Sequence, residues 1–138
     1  MPTSRATILT LREFALNFPG AYEDFPWGER VIKVNKKIFL FLGLESEWDK
    51  GVNFGVKLTH SNEDALNLEF IRPSGYNLGK SGWVSVRFPP NEAPPLDLFK
   101  RWIDESYRAV APRKLVALIP ARGAHTEPGP GPRRKAKQ

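Results

Sequence analysis

The chain has 138 residues, 41% of them hydrophobic and 26% charged, which is the make-up of one soluble globular domain around one core. It holds no cysteine, which excludes disulfides, thiolate nucleophiles and cysteine-ligated zinc. The net charge of +6 is unevenly spread: residues 121–138 carry five cations against one carboxylate, so the rest of the chain is close to balance. No apolar run approaches the roughly 20 residues of a membrane span, and no signal-peptide pattern opens the chain, so a cytoplasmic protein with no membrane partner is expected.

Residues 1–6 are expected to fray. Thr7 is the favoured N-cap of a first helix; Thr10 has capping-box spacing to Glu13, but a start there leaves the helix short. Leu11, Phe14, Ala15 and Phe18 fall at i, i+3, i+4 and i+7, one apolar stripe, and Pro19-Gly20 ends the helix. Residues 21–24 form a bridge. Phe25-Pro26-Trp27-Gly28 then turns into three strands, over 29–35, 37–43 and 52–58, the first two joined tightly at Asn35-Lys36. In the first, Ile32 and Val34 share a face with Arg30, while Val31, Lys33 and Asn35 point the other way. The second is apolar on both faces, as a central strand would be. The third turns Val52, Phe54, Val56 and Leu58 inward, and Asn53, Gly55 and Lys57 outward. The stretch 44–51 sets Glu45, Glu47, Asp49 and Lys50 around Trp48 and reads as an exposed hairpin tip, too polar for a core.

Ser61 is the expected N-cap of a short helix with Glu63 and Asp64 in its first turn. Residues 69–72 read as a short edge strand before Pro73, where a proline leaves the ladder intact. A loop over 74–82 with three glycines leads to a strand over 83–88, in which Val84, Val86 and Phe88 alternate with Trp83, Ser85 and Arg87. A last helix runs from near Pro95 to Val110. Its stripe of Phe99, Trp102, Ile103, Ser106, Tyr107 and Val110 is the largest apolar helix face, and each large side chain buried is worth about 1.5–3 kcal/mol before entropy. Residues 115–119 are apolar and either dock on the body or contact a partner. From Pro120 on, apolar residues give out. The chain thus divides into a single domain over 1–120 and a disordered, Pro/Gly-rich basic tail over 121–138.

Several stretches resemble the MmcQ/YjbR family of small bacterial proteins. They are residues 11–20 at the first helix, Pro26-Trp27-Gly28, Lys37-Ile38-Phe39, Phe54-Gly55-Val56-Lys57-Leu58, residues 73–84, and Trp102-Ile103-Asp104-Glu105-Ser106-Tyr107. Their order is more specific than any one of them, and together they span about residues 7–118. The resemblance implies an α+β fold: a two-layer sandwich, an antiparallel sheet with helices on one face, akin to secretion-chaperone-like and frataxin-like folds. It also implies a DNA-binding-like protein with a proposed double-wing motif. It brings no agreed catalytic residues with it, and fold alone does not establish function.

The candidate nucleic-acid contacts are Arg30, Lys33, Lys36 and Lys37 around the first hairpin, then Lys57, Arg72, Lys80 and Arg87, and Arg133, Arg134 and Lys135 in the tail. Cations spaced along a surface are what phosphate binding needs. Lysines on hairpins and edges also guard against strand aggregation, so a merely solvated surface stands beside that reading. Trp27, Tyr76, Lys80 and Trp83 form a candidate ligand pocket, with Gly75–Gly82 as a loop able to approach an anion. That loop matches neither the Walker pattern nor the dinucleotide fingerprint, and a strand follows it instead of a helix. Trp27, Trp83, Phe39 and Phe41 form an aromatic set that an uncovered sheet face would expose to a protein partner or a second copy. His60 and His125 lack metal-motif spacing, and neither the paired carboxylates nor the serines show an acid–base partner, so no metal, cofactor or enzymatic activity is expected. Weak, sequence-nonspecific DNA binding is the leading expectation. A chaperone-like adaptor using the open sheet face is the alternative, and a small-molecule-binding protein the third.

Overall fold

The computed structural model of the protein describes residues 3–75 and 78–119, and the expected tail lies outside them. Helices α1 (Ser4–Leu16), α2 (Asn62–Leu66), α3 (Leu96–Val110) and α4 (Arg113–Val116) accompany strands β1 (Tyr22–Asp24), β2 (Arg30–Val34), β3 (Lys37–Gly43), β4 (Val52–Lys57), β5 (Ile71–Pro73) and β6 (Trp83–Phe88). The strands form one sheet in the order β1-β2-β3-β4-β6-β5, every neighbouring pair antiparallel. Helices α1, α2 and α3 pack against it as one layer. The fold is therefore α+β, a two-layer sandwich.

The core follows from strand alternation. Ile32, Leu40, Val56 and Val84 are successive register partners across β2, β3, β4 and β6, and all four are buried on the helix side. Ile8, Leu11 and Ala15 of α1 and Phe99, Ile103 and Tyr107 of α3 close over them. The β2–β3 register slips between Ile32 and Lys33, so that Ile32 pairs with Leu40 but Lys33 with Ile38. Phe39 is left over as a bulge residue and turns into the core, edge-on to Phe18 and Tyr107. Asn35 and Lys36 both take positive φ (51° and 68°), the geometry that joins β2 to β3 in two residues.

Four local expectations are revised. Helix α1 starts at Ser4, not Thr7: Thr3 is the N-cap, its hydroxyl accepting from the Ala6 amide at 3.0 Å. Ser4, Thr7 and Ile8 are buried, so docking orders a first turn that residue propensity left open. Residues 22–24, read as a bridge, pair with β2 as a short edge strand. The stretch around Trp48 is no exposed tip. Trp48 is 2% exposed, its indole N–H donates to the Leu42 carbonyl at 2.8 Å, and Arg5 and Arg30 lie over its ring at 5.7 and 5.2 Å. Of the polar neighbours, Asp49 accepts from Arg5 and Glu45 from both Arg5 and Arg30, which holds the two arginines in place. Ser61 does not cap α2 with its side chain; its hydroxyl donates to Glu105. The Glu105 carboxylate of α3 accepts from the His60 and Ser61 amides at 2.8 and 3.0 Å and so holds the start of α2 from outside. Residues 113–119 dock in part: Leu115 packs near Gly20, whereas Leu118 stays exposed.

Candidate nucleic-acid interface

The same alternation that builds the core assigns the opposite face. Directly paired residues share a face, so Phe41, Gly55, Ser85 and Arg72 form a row across β3, β4, β6 and β5. Lys57 stands opposite Trp83, Asn53 opposite Arg87, and Lys33 opposite both Tyr22 and Ile38. Strands β3 to β6 contain no Asp or Glu at all. The face they present is therefore cationic by composition, and α1 to α3 occupy the other side of the sheet.

The candidate cations fall into two groups. Arg30 is neutralised: it donates to Glu23 at 3.3 Å and Glu45 at 2.6 Å, and its guanidinium lies over Phe25 and Trp48. Lys33 pairs with Asp24 at 2.8 Å. That hydrogen bond raises the Lys33 ammonium above its ordinary value and lowers the Asp24 carboxyl. Glu23 is held below its ordinary value first by the hydrogen bond from Arg12, with burial opposing and Arg30 adding to the effect. By contrast, Lys36, Lys37, Lys57, Arg72, Lys80 and Arg87 have no carboxylate partner among the described residues. Arg72 donates to the Glu69 and Ile71 carbonyls. Arg133, Arg134 and Lys135 lie outside the described residues.

Two of the candidate pocket residues, Trp27 and Trp83, lie on segments far apart in the sheet. The backbone of Trp27 belongs to a turn of 3₁₀ helix, Pro26–Gly28, between β1 and β2 at one edge of the sheet. Trp83 begins β6, three inter-strand steps from β2, or about 14 Å. Lys80 is exposed in a second 3₁₀ turn, Leu78–Ser81, and Tyr76 lies outside the described residues. Gly82 ends the glycine loop at φ +97°; a Cβ there would meet the Leu58 carbonyl oxygen at 2.8 Å, so this glycine serves the close approach of loop to strand. The aromatic set also divides. Phe39 is in the core, whereas Phe41 and Trp83 meet edge to face on the helix-free side, centroids 5.1 Å apart.

Sequence reasoning missed a groove of about 700 Å³ between α2 and α3, lined by His60, Asp64, Leu68, Arg101, Trp102 and Arg108 among others. Its signal was present in the side of α3 that carries Arg101, Asp104, Glu105 and Arg108. Three of those groups are engaged with the protein itself: Arg108 pairs with Asp104, and Glu105 holds residues 60 and 61. Among the described residues no group of three or more His, Asp or Glu is placed to hold a metal ion, and no helix is long and apolar enough to cross a membrane.

The sequence model of one family, YjbR, matches residues 16–109, which takes in everything from the end of α1 to the last turn of α3. No curated protein matches the chain.

Proposed function

The chain belongs to the YjbR family, and on that premise we propose that it is a non-enzymatic DNA-binding protein whose helix-free sheet face and β2–β3 hairpin contact phosphates. One observation carries the reading: Lys36, Lys37, Lys57, Arg72 and Arg87 lack a carboxylate partner among the described residues and lie on, or beside, strands without Asp or Glu. Cations spread in this way give affinity and orientation but no base discrimination, so binding is weak and indifferent to sequence. Arg133, Arg134 and Lys135 would add attraction of the same kind. A salt titration against a random-sequence duplex tests it, comparing the full chain with one ending at Pro120. Both bind, affinity falls steeply with salt, and Lys57→Ala and Arg87→Ala each lower the slope of log affinity against log salt by about 1. Binding that ignores salt, or that vanishes with the tail, refutes it.

A second reading, a protein-interaction or chaperone-like adaptor, is favoured by apolar surface at the β1 side of the sheet, where Tyr22 is 40% and Phe25 52% exposed. Such an adaptor would self-associate or hold partners through β1 and the open face. A chain that sediments as a monomer at every concentration, and that captures nothing through this edge, counts against it.

A further inference from the structure

Resting on the phosphate-binding reading, we infer that the occupant of the helix-free face is single-stranded nucleic acid, with Phe41 as the ring on which a base stacks. The observation is a juxtaposition. Phe41 is a half-buried ring on β3, and its register partner on β4 is Gly55, which has no side chain. A Cβ built on Gly55 would sit 3.4 Å from the Phe41 Cβ and 3.5 Å from its Cδ2, so the ring leans over the glycine. The edge-to-face contact with Trp83, itself 8% exposed, fixes the tilt from the other side. Cations border this platform on the side away from β2: Lys57 stands opposite Trp83, Arg72 lies at the β5 end of the row that runs from Phe41 through Gly55 and Ser85, and Arg87 lies two residues along β6 from Ser85, whereas Val31 adjoins Phe41 on the β2 side.

Shape decides between the two forms of nucleic acid. A major groove about 12 Å wide admits a helix or a two-stranded ribbon, and the face of β3, β4, β6 and β5 is about 14 Å between its outer strands before side chains are added. A duplex would touch this sheet with phosphates only and leave Phe41 facing stacked base pairs it cannot reach. A single strand offers phosphates and unstacked bases together, the combination that a ring bordered by cations serves. Ser85 and Asn53, half-buried on the same face, offer uncharged hydrogen-bonding groups beside it.

The test is fluorescence anisotropy of the full chain with one labelled random 20-nucleotide sequence as DNA strand, as RNA strand and as DNA duplex, at matched salt. The single strands bind more tightly than the duplex, and comparing DNA with RNA tells which sugar is preferred. Phe41→Leu, which keeps an apolar side chain over Gly55, weakens single-strand binding on the order of tenfold and leaves duplex binding and the salt slope unchanged. Arg87→Ala, an exposed change that spares the packing, lowers the salt slope for the single strand. A duplex bound as tightly as the strands, or a Phe41→Leu protein with unaltered single-strand affinity, overturns the inference while phosphate binding stands. No binding to any of the three overturns both.

Discussion

Ser106 uses its hydroxyl twice in the centre of the packed layer. It donates to the Phe39 carbonyl at 2.6 Å and accepts from the Lys57 amide at 2.8 Å, and the residue is fully buried. The β3–β4 ladder runs through Leu40–Val56 and Phe41–Gly55, and the helix hydroxyl bridges the strands just beyond it. Ser106→Ala removes little volume but leaves a buried N–H and C=O without this partner, so a loss of about 1–3 kcal/mol is expected. It should appear as a lower urea midpoint at unchanged m-value, and an unmoved midpoint would show that water or a backbone shift replaces the hydroxyl. Glu23 makes a second prediction at this scale. Arg12 donates to its two oxygens at 2.7 and 2.8 Å, and the carboxyl is held below its ordinary value of about 4.3. A carboxyl depressed in the folded state contributes in full above that ordinary value and loses the contribution as pH falls through the folded one. Thermal stability should therefore drop below about pH 4, with Asp24 and Asp49 adding to the drop for the same reason. Glu23→Gln should lower Tm at neutral pH and flatten its fall in acid.

Elements are held by contacts far apart in sequence. Gly51 opens β4 at φ +138°, and a Cβ there would lie 2.6 Å from the Phe88 carbonyl oxygen at the end of β6, where Val52 pairs with Phe88. Gly51→Ala must therefore push β4 and β6 apart at that end. A destabilisation of more than about 1 kcal/mol is expected, against a few tenths for a glycine in open space such as Gly75. Denaturation of the pair of variants side by side separates strain from generic chain stiffening. Helix α3 was readable in advance because Phe99, Trp102, Ile103, Ser106 and Tyr107 repeat at the helical period, and all five are buried. Edge strand β1 was not. Three residues carry no period, and Tyr22–Asp24 is a strand only because β2 lies beside it.

For the whole molecule, the distribution of charge matters more than its sum. Arg30 and Lys33 belong to the seam that ties β1, β2 and the turn around Glu45 together, and their positive charge is already matched. Arg30→Ala should lower stability on the order of 1 kcal/mol, losing ion pairs and the contact with the Trp48 ring, while DNA affinity at a temperature where the variant is folded stays as it was. Arg87→Ala should do the reverse, weakening binding and sparing Tm. Measuring both quantities on both variants checks the division between structural and phosphate-facing cations; an Arg30→Ala protein that loses affinity as Arg87→Ala does would erase it.

Alternation and helical period were enough to read the longer strands, the main helices and the faces of Val52–Lys57 and Trp83–Phe88, because those signals are local and repeat over many residues. The basic candidates were equally visible, as was the order of motifs that marks the family. Which cations are matched was not legible, since Glu23, Asp24 and Glu45 reach Arg30 and Lys33 across seven to fifteen residues of chain. Nor was the separation of Trp27 from Trp83, or of Phe39 from Phe41. Strand order parts the first pair and a one-residue bulge the second, and both are decided by how backbone hydrogen bonds close between distant segments. Trp48 is the sharpest case: its neighbours in sequence are polar, and it is buried because Arg5 and Arg30, brought in by α1 and β2, cover its ring.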